Sequence, residues 1–425
     1  MPISSKINKT GLVIYALFLV ELLVFFIFKK QLDFIVAPIV FTVCGLAIAY
    51  YPLVKEPLSD AGNRAHQKPN KYIVYLALAI VSLSFCLWAH FIFINNPIDI
   101  KKSDIIPYIN EVYVKRFINN EWVYAKAPGL GYGNWTPNYL PFHWFPFVLA
   151  KVLQIDFRWI PFVAYLLSVF IYAKQLLKQA HSAINITGKL LLPFVILFFI
   201  YFKQTSELAH TVELLIASYY FLLSIFINNN SLGGRGFSLT ATLLSRYVVI
   251  FYLPVALLIE WLSNRKQAIL QVVFVLVAVS ICYIIPFLSR DWSIFTEGAK
   301  SYDIATLGEW DGQDWQPKTD NPFQLFQGLG FASWIYLLSN APLPARVDLH
   351  KHIMFVAIII SIVCLAYIVL KKHKTVKPQF LHLLALKTLL TIVFAFALVP
   401  YNYLFWSSIV ISITIVSNYK LVDEN

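Results

Sequence analysis

The chain has 425 residues, 59% of them hydrophobic and 13% charged, with 34 Lys+Arg against 22 Asp+Glu and a net charge of +12. Soluble domains carry about 45–50% apolar and about 25% charged residues, so an ordinary soluble enzyme, a disordered chain and a nucleic-acid-binding domain are excluded. A membrane-spanning helix uses about 20 apolar residues, and the apolar stock suffices for about twelve such helices in one polytopic domain over 1–425.

In chain order, the apolar runs predict spans at 11–28, 34–54, 72–95, 158–176, 189–203, 207–228, 236–246, 247–262, 268–288, 352–370, 380–398 and 403–418. The run at 11–28 is too long for a signal-peptide core and reads as a retained first span. Cys44, Cys86, Cys282 and Cys364 each sit inside an apolar run, without metal-ligand spacing or a disulfide pattern. Cytoplasmic loops attract Lys and Arg. With a cytoplasmic N-terminus, the inner segments collect Lys6, Lys9, Lys55, Arg64, Lys68, Lys71, Lys174, Lys178, Lys189, Arg235, Arg265, Lys266, Lys371, Lys372, Lys374, Lys377 and Lys420. Few acids join them, Glu56, Asp60 and Glu260 among them. This assignment needs the apolar piece 139–153 to be a membrane-surface helix, as Pro141 and Pro146 also suggest. Both long loops, 96–157 and 289–351, then fall on the outer side. No repeated half is visible, unlike the repeats of many transporters. Polar mass gathered on one face suits an enzyme working there.

In the first loop, Asp104, Tyr108, Glu111 and Lys115 are spaced i, i+4, i+7 and i+11 and are predicted to share one face of an amphipathic helix. Asp104 suits an N-cap, or a carboxylate that takes a proton from an attacking hydroxyl. Glu111 suits a substrate contact or a partner for Lys115. The segment from Trp122 to Phe147 is dense in aromatics and punctuated by Gly and Pro, and includes Trp135, Tyr139 and His143. It serves either as an interfacial belt or as a surface for sugar rings.

Asp104 after a span, Val123-Tyr124 and Tyr139-Leu140-Pro141 before the next span together resemble the GT-C superfamily of polytopic glycosyltransferases. Within it the pattern is most similar to glycosyltransferase family 87 and the GPI mannosyltransferase type. Many such enzymes carry paired acids in the first loop, whereas Asp104 has no adjacent acid. The resemblance implies an all-α membrane fold and a polyprenyl-phosphate sugar, such as mannose, as donor substrate. It implies a glycan or glycolipid acceptor, inversion at the anomeric carbon, Asp104 as base and no cofactor besides the donor; no set of metal ligands stands out in the sequence, which leaves metal dependence open. A bacterial inner membrane is the expected location, with the site outside the cytoplasm.

A leaving phosphate needs cations, and Arg246 between two apolar runs is the candidate; snorkelling to the headgroups is its other reading. Glu207 and His210 share a helix face in a second outer turn, and Asn402 and Tyr403 lie in a third. Each suits substrate contact or a plain interfacial turn. In the second loop, acids alternate with Trp310 and Trp315 in a pattern that suits sugar binding. The rival functions are a polymerase or ligase of lipid-linked glycans, and a transporter or flippase of lipid-linked sugars.

Overall fold

Burial separates the long apolar helices into two kinds, and the separation locates both the core and the bilayer. The protein is described by a computed structural model covering residues 8–29, 31–55, 70–99, 103, 105–127, 136–178, 183–312 and 321–421. Among these residues the bundle helices are α1 (Lys9–Phe28), α2 (Asp33–Val54), α3 (Lys71–Asn95), α4 (Trp159–Leu176), α5 (Ile184–Lys203), α6 (Glu213–Asn228), α7 (Leu232–Leu243), α8 (Leu253–Ser263), α9 (Arg265–Ile284), α10 (Leu343–Lys372), α11 (Pro378–Ala395) and α12 (Trp406–Val416). No strand occurs among the described residues. All but α6, α7, α8 and α12 are long and apolar enough to cross a membrane, which makes eight candidate spans.

In α11, 83% of the apolar window is buried, against 17% in α3 and in α10. Helix α12 is buried along its whole length, and α6 along most of it. These three form the centre and pack on one another. The outer helices expose rows of large apolar side chains, such as Leu76, Ile80, Leu83 and Leu87 on α3 and Ile359, Ile360 and Val363 on α10. Such rows need an apolar solvent. The centre is the more polar layer: Ser224 on α6 meets Thr414 on α12 at 2.7 Å. Hydroxyls at helix interfaces suit a membrane, where small polar residues bring helices together.

The start of α1 and the segment after α12 meet at the basic end of the bundle, where Asn8 N donates to Leu421 O and Tyr419 OH donates to Lys55 O. The long loops cap the opposite end. The first loop packs Tyr113, Trp144 and Phe147 into an apolar cluster that it shares with Leu215 and Tyr219 of α6, Ala241 of α7 and Tyr283 of α9. The piece expected as a surface helix is two short helices, Pro141–Trp144 and Phe147–Val152. Phe145, Leu149 and Val152 are exposed on one side, with Trp144 and Ala150 buried on the other. In the second loop, Gly328 lies so close to the turn after α11 that a Cβ would sit 1.7 Å from Pro400 O. Helix α10 runs for 30 residues, or about 45 Å at 1.5 Å per residue. A hydrocarbon core is about 30 Å thick, so its first turns stand outside with the loop.

Three expectations change. The first-loop face does not form: residues Ile109–Val114 are a π-helix, whose wider turn rotates the side chains that follow. Tyr108 is buried while Glu111 and Lys115 are exposed. The run 207–228 is two helices, Thr205–His210 and α6, broken at Thr211-Val212. Arg235 and Glu260, assigned to inner segments on charge, are buried inside the bundle and paired with each other.

Candidate functional site

Helix α7 ends at Leu243, and the next residues turn back on it: Ser245 N and Arg246 N both donate to Thr242 O. Arg246 is then extended, and a short 3-10 helix, Tyr247–Phe251, leads into α8. This break leaves Arg246 at the loop end of the bundle. Its Nη2 donates to Glu213, the first residue of α6. Glu213 is 3% exposed at its side chain and Arg246 is 20% exposed. A buried acid therefore anchors a cation that still reaches solvent.

The first loop docks onto the same turn. Phe142 N donates to Leu244 O at 2.9 Å, and His143 Nδ1 lies 3.4 Å from Ser245 O. Tyr139 packs its ring 4.4 Å from that of His143 and lies within reach of the Arg246 charge. Tyr113 OH accepts from Tyr139 N at 2.8 Å, and Tyr124 OH donates to Tyr139 O at 2.9 Å. Burial, with Arg246 beside it, holds the His143 imidazole down at about 3. The ring is neutral, and donation from Nδ1 to Ser245 O makes Nε2 an acceptor, with no partner among the described residues.

The turn before α12 closes the other side. Tyr403 lies under the Arg246 guanidinium at 6.0 Å and stacks on Tyr401 at 5.2 Å. Tyr401 OH donates to Glu309 Oε1 at 3.1 Å. Between them, Asn402 accepts from Lys29 Nζ at 2.9 Å and donates to Glu207 at 3.4 Å. His210 Nδ1 lies 3.1 Å from Ser103 Oγ, which also accepts from Asp99 N at 2.9 Å. Ser103 immediately precedes Asp104.

Of the residues singled out from sequence, Tyr139, His143, Arg246 and Tyr403 gather around one turn, Asn402 and Glu207 join them through the turn before α12, and His210, on the same short helix as Glu207, meets Ser103. Asp104 and Trp135 lie outside the described residues. Glu111 is apart: it is exposed and pairs with Lys115 at 3.8 Å. Trp310, expected to stack on sugars, is fully buried and donates from Nε1 to Leu398 O at 2.8 Å; Trp315 lies outside the described residues. Sequence reasoning missed Glu213, Ser103, Tyr220 and Lys29. Glu213 carried a usable signal, an acid within an apolar run. Tyr220 OH is buried without a hydrogen-bond partner among the described residues, near Arg246 and Glu213.

Among the described residues, no three His, Cys, Asp or Glu side chains gather to hold a metal ion. Chemically the arrangement can offer donors to an anion: an anchored guanidinium with its remaining N–H groups unclaimed by described residues, beside Tyr139, Tyr403 and a neutral imidazole. Comparison with protein-family models, curated proteins and solved structures finds no match to this chain.

Proposed function

We propose that the protein is a GT-C-like glycosyltransferase that transfers a sugar from a polyprenyl phosphate to a glycan or glycolipid acceptor. In this reading the twelve spans are the eight longer helices together with α6, α7, α8 and α12, which are too short to cross a bilayer alone and do so only with the turns that flank them, and the loop end faces away from the cytoplasm. The observation that carries it is Arg246, fixed by buried Glu213 and 20% exposed among Tyr139, His143 and Tyr403. Charged donors preorganised at a leaving group stabilise the charge that develops there.

In this reading the acceptor hydroxyl attacks the anomeric carbon, the bond from that carbon to the phosphate oxygen breaks, and the configuration inverts. The hydroxyl proton goes to Asp104. The polyprenyl phosphate leaves with the bonding electrons, its charge met by Arg246. Glu213 limits the movement of the guanidinium, and the Asn402–Glu207–Lys29 links fix the turn that carries Tyr403. The assay is transfer of a radiolabelled sugar, mannose first, from its polyprenyl phosphate in proteoliposomes. The expected result is turnover by the wild type and its loss in both Asp104→Asn and Arg246→Gln. Full turnover by both variants would remove this site from the reaction.

A further inference from the structure

A groove opens on the outside of the bundle near its basic end, between α8 and α9. Asn264 alone separates the two helices. Leu257 and Trp261 of α8 form one wall, Ile269, Val272 and Val273 of α9 the other, and the small, buried Ala268 leaves the space between them. The groove measures about 420 Å³ and its walls are apolar. Trp261, Ile269 and Val273 are each about half exposed along it.

The rim of the groove is cationic. Arg265 and Lys266 begin α9, and both are exposed. The Arg265 guanidinium lies over the Trp261 ring at 5.2 Å, so one side chain serves as groove wall and as platform for the cation. Neither Arg265 nor Lys266 has an acid partner among the described residues. The acid nearest in sequence, Glu260, is buried and spent on Arg235 and His382. Helix α10, which also packs on α8, ends in Lys371 and Lys372 at the same end of the bundle.

The order along the helix matches the order within a lipid. Ala268 to Val273 lie three to eight positions beyond Arg265, or about 4–12 Å deeper at 1.5 Å per residue. Cations and a Trp thus stand at the depth of headgroups, where Trp is favoured, and the hollow stands at the depth where acyl chains begin. An apolar hollow takes an apolar occupant, and an uncompensated basic rim selects an anionic one. We propose that the groove between α8 and α9 binds one anionic phospholipid, with an acyl chain against Trp261 and Val272 and its phosphate at Arg265 and Lys266. The guanidinium fork presents paired N–H groups to phosphate oxygens, and basic sites beside spanning helices take anionic headgroups. This site lies at the opposite end of the bundle from Arg246 and is separate from the proposed transfer reaction.

The experiment follows lipid binding by native mass spectrometry and by thermal unfolding of the purified full chain in detergent. The probes are phosphatidylglycerol, phosphatidylcholine with the same chains, and glycerol phosphate, which keeps the anion and lacks the tails. A ligand bound only by the folded state raises the melting temperature. The expected result is one tightly held phosphatidylglycerol per chain with a higher melting temperature, a smaller effect of phosphatidylcholine and none of glycerol phosphate. Arg265→Gln with Lys266→Gln weakens phosphatidylglycerol binding about 30-fold, the scale of two cations at an anionic surface. Lys174→Gln with Lys178→Gln removes the same charge from the basic end of α4, which does not line the groove, and keeps the binding. Val272→Phe fills the groove and weakens both lipids with the cations in place; should it fail to fold, the two Gln pairs decide. Equal binding of the two lipids, equal losses in the two Gln pairs, full binding by Val272→Phe, or equal protection by glycerol phosphate overturns the proposal. A dimer that Val272→Phe separates, with no lipid held, gives the groove to a second copy of the chain and overturns it as well.

Discussion

The pair Glu21–Lys387 in the core and the pair Glu213–Arg246 at the loop end join the same kinds of group for opposite ends. Both residues of the core pair are 0% exposed. Lys387 Nζ spends its three donors on Glu21 at 2.5 Å and on Ser408 O and Oγ at 2.9 Å. The second Glu21 oxygen accepts from Ser412 at 2.7 Å, and Ser408 also meets Thr391 at 3.0 Å. Nothing is left over, and three helices, α1, α11 and α12, are joined. At the loop end Glu213 is buried, but Arg246 is partly exposed and makes one hydrogen bond to a described residue. A saturated pair holds helices in register; an unsaturated one keeps capacity for something else. Buried charge alone does not mark a site. Unspent bonding capacity beside solvent does.

The largest expected effect falls on the open region. Asp104→Asn keeps the size and N-capping ability of the side chain and removes its basicity. General-base catalysis contributes about 10²–10⁴-fold, so transfer from the polyprenyl donor is expected to drop by that factor, with thermal stability near wild type. Arg246→Gln is expected to lower turnover about 10²–10³-fold, the scale of losing one preorganised donor, and to leave Glu213 buried without its cation. Initial rates and melting curves on the same samples separate the two effects. Near-normal rates in either variant would place that residue outside the chemistry.

The closed pair is expected to respond in stability. Lys387→Met strands Glu21 in the core, at a cost of about 3–5 kcal/mol. Changing Glu21→Met as well restores most of it, because a well-packed apolar replacement of a buried pair is close to neutral. Denaturant titration in detergent, followed by Trp fluorescence, reads both. Had the open and closed pairs the same role, removing both Glu21 and Lys387 would lower transfer as removing both Glu213 and Arg246 is expected to do.

The sequence carried these two regions unequally. Every bundle helix overlaps an apolar run, because burial and bilayer both demand apolar side chains, though α7 and α10 begin well before the runs read for them, and the gathering of both long loops at one end was legible from the placement of Lys and Arg. Arg246, His143, Glu207 and Asn402 were visible as polar residues at run ends. Their partners were not. Glu213 lies 33 positions from Arg246, and Glu21 lies 366 from Lys387, so only packing shows that each charge is compensated. Spacing also misled where the helix is not α: the π-helix at Ile109–Val114 separates Tyr108 from Glu111. Trp310 looked like a platform for sugars, but the apolar cluster of Leu325, Ala332 and Val347 encloses it.

His143 tests the electrostatics of the open region. Its pKa is held at about 3, by burial first and by Arg246 second, against about 6.5 in an unfolded chain. The unfolded state therefore binds more protons between those values. The stabilisation is complete above about 6.5 and is lost as pH falls toward about 3, with a limiting slope of about 1.4 kcal/mol per pH unit. His143→Gln removes the titrating group, so its stability should fall less steeply than that of wild type from about pH 6 to about pH 4. Parallel curves for the two proteins would mean that His143 is not held neutral in the folded state.

Glu111 gives the smallest effect and the sharpest control. It lies in the same loop as Tyr139 and His143, was a candidate for substrate contact on sequence grounds, and carries the same charge as Glu213. The structure gives it a different setting: its side chain is 44% exposed, its ion-pair partner is Lys115 at 3.8 Å one turn on, and Asn110 donates to it at 2.9 Å. Exposed i,i+4 pairs contribute about 0.3–0.5 kcal/mol, less in salt. Glu111→Gln keeps the shape and removes the charge, so it should shift stability by no more than that and leave transfer unchanged within error. Glu213→Gln, the same substitution on the buried acid, should weaken the hold on Arg246 and lower transfer. The pair of variants asks whether burial and partnership, rather than charge and loop membership, decide which acids matter. A loss of transfer in Glu111→Gln matching that in Glu213→Gln would extend the site along the π-helix and break the distinction drawn between the open pair and its surroundings.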